Sequence, residues 1–221
     1  MIKISDLTFH YPQGAFSLNI PELQVQKHEK VAVIGPSGTG KTTLLNLIAG
    51  IRTPQSGSVQ IDETRVDQLH DSERRRFRIS QVGFVFQDFE LLDYLTVRDN
   101  ILHPYRITDA LQLTPEVRQR AEQLAEAMGI GDKLAERPGH LSQGEQQRTA
   151  ICRALLPQPS LILADEATGN LDPDNKLRIH ELLFQAVEEH ETTLLAVTHD
   201  YELLAHIDRI VDFKEFRQNI G

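Results

Sequence analysis

The sequence predicts an α/β fold: a parallel β-sheet core with a phosphate-binding loop, an antiparallel β part beside it, and a helical insertion. Three observations predict it. Short apolar runs suited to buried parallel strands recur at Val31-Ala32-Val33-Ile34, Leu161-Ile162-Leu163-Ala164 and Thr193-Leu194-Leu195-Ala196-Val197. Between about residue 88 and residue 157 the chain changes character to helix. Before residue 31 and after residue 50 it breaks into short strand-like pieces separated by proline and glycine.

Taken in order, residues 1–30 carry the pieces Ile2-Lys3-Ile4, Leu7-Thr8-Phe9 and Phe16-Ser17-Leu18, broken by Pro12, Gly14 and Pro21. The turn Thr53-Pro54-Gln55-Ser56-Gly57 leads into Ser58-Val59-Gln60-Ile61, so residues 1–30 and 51–66 read as the antiparallel part. Residues 31–50, 67–87 and 158–221 form the doubly wound core, and residues 88–157 the helical part, all within one domain spanning 1–221. In the helical part Thr114-Pro115 supplies an N-cap and first helical residue. Val117, Ala121, Leu124, Ala125 and Met128 form an apolar stripe, and Gly129 a stop. A further helix is expected from about Pro173 to Glu189. No internal repeat, low-complexity stretch or interdomain linker stands out.

After the first core strand, Gly35-Pro36-Ser37-Gly38-Thr39-Gly40-Lys41-Thr42 fits G-x-x-x-x-G-K-[ST] at every position. Glycines let the backbone turn tightly and aim its N–H groups inward at a triphosphate. Lys41 adds a compact positive charge for the β and γ phosphates, and the Thr42 hydroxyl is placed to ligate Mg²⁺. The helix beginning at Thr43 directs its N-terminal dipole at the same anion. A glycine-rich strand-to-helix turn without a ligand is the bland alternative. At the far end of the third run, Asp165 and Glu166 stand at the C-terminal edge of a buried strand, where open parallel sheets place their ligands. Asp165 is expected to hold Mg²⁺ through a water, and Glu166 to polarise the water attacking the γ phosphate.

Composition bounds the partners. The 221 residues are 40% hydrophobic and carry a net charge of −9, which argues against a nucleic-acid partner held on a basic face. No apolar run approaches the roughly 20 residues that span a bilayer, and the N-terminus lacks a signal-peptide pattern, so the expectation is a soluble cytoplasmic subunit. The single cysteine, Cys152, reads as a small buried helix residue.

The phosphate loop, Gln87, Leu141-Ser142-Gln143-Gly144-Glu145, Leu161 to Glu166, Asp172 and His199 occur in an order and spacing that resemble the nucleotide-binding subunit of an ATP-binding cassette (ABC) transporter over nearly the whole chain. Gly83-Phe84-Val85-Phe86-Gln87 with Leu91-Leu92, and Asp165 through Asp172, are similar to the subgroup serving lipoprotein release, macrolide export and cell division. The resemblance implies an ABC ATPase cassette on a P-loop NTPase core with ATP and Mg²⁺ as cofactors. It implies that Tyr11 stacks on adenine, that Gln87 reaches the metal and the nucleophilic water and couples to a membrane partner, and that His199 contacts the γ phosphate. For Tyr11 a strand-edge aromatic filling the small sheet is the alternative; for Gln87, a solvated loop residue; for His199, a structural histidine.

Leu141 to Glu145 corresponds to the family's signature segment, which acts across a dimer on the phosphate loop of the other copy, with Asp172 in an interface loop. Locally, Ser142-x-x-Glu145 is a capping box, and a capped helix N-terminus with Gly144 allowing close approach is also an anion site. Gln143 and Glu145 depart from the usual Leu-Ser-Gly-Gly-Gln. Asp172 before Pro173 is equally an N-cap pair. The resemblance thus implies a homodimer or paired ATPase in the ATP-bound state, docked on an integral membrane permease at the inner face of the membrane. The alternative is a mechanotransmitting ATPase of the cell-division type that gates an extracytoplasmic enzyme. The stretch Val211 to Arg217 lacks the Asp-Gly turn usual near the family's end.

Overall fold

The computed structural model describes residues 1–13, 16–169, 173–198 and 204–216. Strands β1 (Ile2–His10) and β2 (Ser17–Val25) open the chain, followed by β3 (Lys30–Ile34), helix α1 (Lys41–Ile48), β4 (Ser56–Ile61) and β5 (Thr64–Arg65). Then come α2 (Asp71–Gln81), β6 (Val82–Val85), α3 (Val97–Leu102), α4 (Pro115–Ala127), α5 (Gln143–Leu155), β7 (Leu161–Asp165), α6 (Pro173–Glu189), β8 (Thr193–Val197) and β9 (Arg209–Asp212).

These strands form two sheets. The antiparallel one runs β2-β1-β4-β5, and the other runs β6-β7-β8-β3-β9 with every neighbouring pair parallel. The two pieces read separately near the N-terminus are one strand. Ile2 and Ile4 are buried, then Leu7 and Phe9, so the alternation changes phase midway. A register shift between Ser5 and Thr8, with Asp6 at φ 48°, absorbs the change. Gly57 closes against this bulge: at φ +80° it leaves only 2.3 Å between the position of a Cβ and the Asp6 carbonyl oxygen. Pro21, expected to interrupt the strand, lies inside β2 instead. β2 is a sheet edge, where proline is tolerated, and Pro21 falls opposite Asp6 in register.

The central parallel strands β3, β7 and β8 are buried on both faces. Along β7, Leu161 and Leu163 pack with α1 and the antiparallel sheet, while Ile162 and Ala164 pack with the helical layer. In that layer Thr114 caps α4 by accepting from Val117 N, and Gly129 ends the helix at φ +67°. The stripe Val117, Ala121, Leu124, Ala125 and Met128 is buried. Asn100, fully buried in α3, organises the loop after β6: its Oδ1 accepts from Leu92 N at 2.8 Å, and its Nδ2 donates to Leu92 O at 3.1 Å and Thr96 O at 3.0 Å. Neutral side chains that close such backbone bonds suit buried positions better than charged ones.

Candidate functional site

The C-terminal ends of β3, β6, β7 and β8 share one edge of the parallel sheet. In register Asp165 pairs with Val197, and Val197 with Val33, so the ends of β7, β8 and β3 lie side by side. The loop from Gly35 to Thr42 leaves β3 there, with Gly35, Gly38 and Gly40 at φ +151°, +74° and +106°. Two of these glycines also stand close against aromatic side chains. A Cβ on Gly40 would lie 2.6 Å from Phe16 Cζ, and one on Gly35 would lie 3.1 Å from Phe213 Cβ. Thr39 Oγ1 donates to Pro36 O at 2.9 Å and tightens the loop, leaving Ser37 at its exposed tip.

Lys41 is 5% exposed, and its Nζ donates to Gly35 O at 2.8 Å and Pro36 O at 3.0 Å. Burial pulls its ammonium pKa down, while the nearby carboxylates of Glu166 and Asp165 oppose that shift. An anion bound in the loop would favour the charged form. Asp165 shares a hydrogen bond with the Thr42 side chain. Its carboxyl is nevertheless held above the ordinary value, first by burial and further by Glu166, with Thr42 and Lys41 pulling the other way. Glu166 follows at φ +45°, a left-handed conformation that non-glycine residues adopt mainly where surrounding structure enforces it. Its N–H donates to Val197 O and its carbonyl accepts from Gly169 N, both at 2.9 Å. Gln87 arrives from β6: its Nε2 lies 3.2 Å from where a Gly169 Cβ would be, with Glu166 O 3.3 Å from the same point. Lys41, Thr42, Asp165, Glu166 and Gln87 are thus brought together.

Among the described residues no cluster of three or more His, Cys, Asp and Glu stands ready for a metal. One carboxylate beside a threonine hydroxyl fits Mg²⁺, which keeps several waters and takes further oxygens from a nucleotide's phosphates.

Tyr11 is tied to the start of α1, its hydroxyl 3.1 Å from Thr43 Oγ1. Its ring meets Phe9 edge-on at 5.0 Å and Phe16 at 5.6 Å, and the Arg52 guanidinium stands over it at 5.6 Å. Phe16, Arg52 and the buried Phe213 are neighbours that sequence reasoning missed. Phe213 follows β9 and packs beneath the phosphate loop, which accounts for part of the C-terminal stretch. Its aromatic identity was the one available signal.

Leu141 to Glu145 lies elsewhere, at the start of α5. Ser142 Oγ accepts from Glu145 N at 3.3 Å and donates to Glu145 Oε2 at 2.7 Å, and Ser142 N donates to the same oxygen at 2.8 Å. These bonds hold the Glu145 carboxyl below the usual range. Leu141 and Gly144 are buried, whereas Ser142 and Gln143 are exposed. His199 and Asp172 lie outside the described residues.

A groove of about 740 Å³ opens between α2, β6, residues 103–109 and α5, away from the phosphate loop. Phe84, Phe86, Ile51 and Ile107 supply apolar walls, with Ile51 44% and Ile107 60% exposed. Arg76, on one wall, bridges to Asp109 on the other at 2.6 Å. Among the described residues no helix is long and apolar enough to cross a membrane.

Comparison with known proteins gives consistent matches. A family model described as ABC transporter matches residues 18–169. An uncharacterized ABC transporter ATP-binding protein of Bacillus subtilis, YvcR, is 44% identical over 95% of this chain and 82% of its own length. The lipoprotein-releasing system ATP-binding protein LolD of Psychrobacter arcticus is 40% identical over 95% of this chain and 93% of its own. Among solved structures, a dimeric post-hydrolysis state of an ATP-binding cassette bound to ADP and Pi superposes with a TM-score of 0.85 at 34% identity, covering 96% of this chain and 94% of that one.

Proposed function

The chain belongs to the ABC transporter family as an ATP-binding, ATP-hydrolysing cassette, and from that premise we propose how its residues divide the work. Lys41 and the loop from Gly35 to Thr43 bind the phosphates of ATP, and Tyr11 stacks on the adenine. Thr42 and Asp165 hold the Mg²⁺ that accompanies the nucleotide and neutralises developing phosphate charge. Glu166 polarises the attacking water, and Gln87 orients it. His199 reaches the γ phosphate. Two copies close face to face so that Leu141 to Glu145 of one completes the site on the other, with Asp172 at the interface. The observation that carries this reading is the convergence of Lys41, Thr42, Asp165, Glu166 and Gln87 on one sheet edge, while the capped start of α5, with Ser142 and Gln143 exposed, stands apart from it.

The groove beside Phe86 is proposed as the place where a membrane permease docks, which positions the cassette peripherally on the inner face of the membrane. Its exposed apolar walls and its closeness in sequence to Gln87 support this. The relatives named for lipoprotein release favour transport over gating of an extracytoplasmic enzyme. The test is Glu166→Gln. The variant binds ATP, loses turnover, and doubles in mass by light scattering when ATP is added. Wild-type turnover would remove Glu166 as the base, and an unchanged mass at saturating ATP would count against the sandwich.

A further inference from the structure

Just beyond Gln87 the chain turns sharply. Phe89 and Glu90 both stand in the left-handed region, at φ 60° and 50°, and Glu90 N donates to Asp88 O at 2.6 Å. Two consecutive non-glycine residues in that conformation are strained and persist only if something holds them. Arg153 does so. Its Nη2 donates to Phe89 O at 2.7 Å and its Nη1 to Glu90 O, so one guanidinium fork closes on both carbonyls. Arg153 stands on α5, about three turns beyond Ser142. It also lines the groove between α2 and α5.

We propose that Arg153 is a positioning residue for ATP hydrolysis: by clamping the Phe89 and Glu90 carbonyls it locks Gln87 beside Glu166 and ties that loop to the helix whose other end carries Ser142. The inference rests on the reading of Gln87 as a residue of the hydrolytic site. A planar fork on two carbonyls is a rigid link, so displacement of α5 or an occupant of the groove reaches Gln87 through this side chain. Burial draws the Arg153 guanidinium down to about 10, partly offset by Glu90, which still leaves it charged at neutral pH.

The experiment is a double-mutant cycle on the full chain, reading ATP affinity and turnover separately. Arg153→Ala should lower kcat by about tenfold, as a strained loop relaxes out of its catalytic setting, with ATP affinity unchanged. Arg153→Lys, which keeps charge but not the fork, should be intermediate. In a Gln87→Ala background the Arg153→Ala loss should disappear. Glu90→Gly, which permits positive φ without a clamp, should restore part of the turnover of Arg153→Ala, a rescue that a merely structural arginine would not show. Additive losses in the double variant, or a parallel loss of ATP affinity, would overturn the clamp. Wild-type turnover in Gln87→Ala alone would overturn the reading of Gln87, and the inference with it.

Discussion

Ser142 caps α5 and is proposed to meet the nucleotide of the other copy, and its substitution can measure each role. Ser142→Ala removes the hydroxyl that accepts from Glu145 N at 3.3 Å and donates to Glu145 Oε2 at 2.7 Å. Loss of an N-cap costs about 1 kcal/mol, which in a chain of this size lowers Tm by roughly 2–4 °C. The Glu145-to-Ser142 backbone bond at 2.8 Å survives, so the loss should stay near that figure. If the hydroxyl also bonds a phosphate of ATP held by the other copy, a charged hydrogen bond of about 1.5–3 kcal/mol disappears as well, and turnover falls roughly ten- to a hundredfold. Ser142→Asn distinguishes the two, because asparagine caps helices as well as serine does. Its Tm should return to that of the parent, while its turnover stays low. Differential scanning calorimetry and steady-state hydrolysis, with ATP affinity measured on dilute monomer, complete the assay. Recovery of turnover together with Tm in Ser142→Asn would refute the second role, leaving the segment a helix cap. Loss of ATP affinity on the monomer would refute action across the dimer.

Two further predictions follow from the buried titratable groups. Asp165 is raised above its ordinary value, chiefly by burial, so its ionised form opposes folding at neutral pH. With the folded-state pKa above the unfolded one, the folded state holds the proton longer; the penalty is complete above the raised pKa and fades as pH falls through it. Asp165→Asn should therefore have a higher Tm than the parent near pH 7 without nucleotide, with the difference shrinking in acid; a difference independent of pH would refute the assignment. Cys152 is buried with its thiol pushed up to about 12, so at pH 8 it should resist thiol reagents in the folded chain and react promptly in denaturant. Rapid labelling of the folded chain would contradict that placement.

Local chemistry was legible wherever a residue's structural role is settled by its immediate neighbours. Thr114 caps α4 and Ser142 caps α5 because each satisfies N–H groups within its own first turn. Cys152 is buried, as its place among apolar helix neighbours led one to expect. What escaped depended on distant partners. Pro21 read as a breaker because its own backbone cannot report that β2 is an edge strand beside a bulge at Asp6. Nothing in its own neighbourhood marks Arg52, yet it stands over Tyr11.

By itself the sequence determined the phosphate loop, the acidic strand end and the capped helix start, since each is a short pattern whose physics is complete within a few residues. Tertiary structure alone decided which of them meet. The register of β3, β7 and β8 sets Asp165 beside the phosphate loop, and Phe213, far along the chain, closes beneath Gly35. Arg153 reaches back across the chain to the loop carrying Gln87. Such contacts are chosen by sheet order and close packing rather than by periodicity or turn chemistry, so no window along the chain contains them.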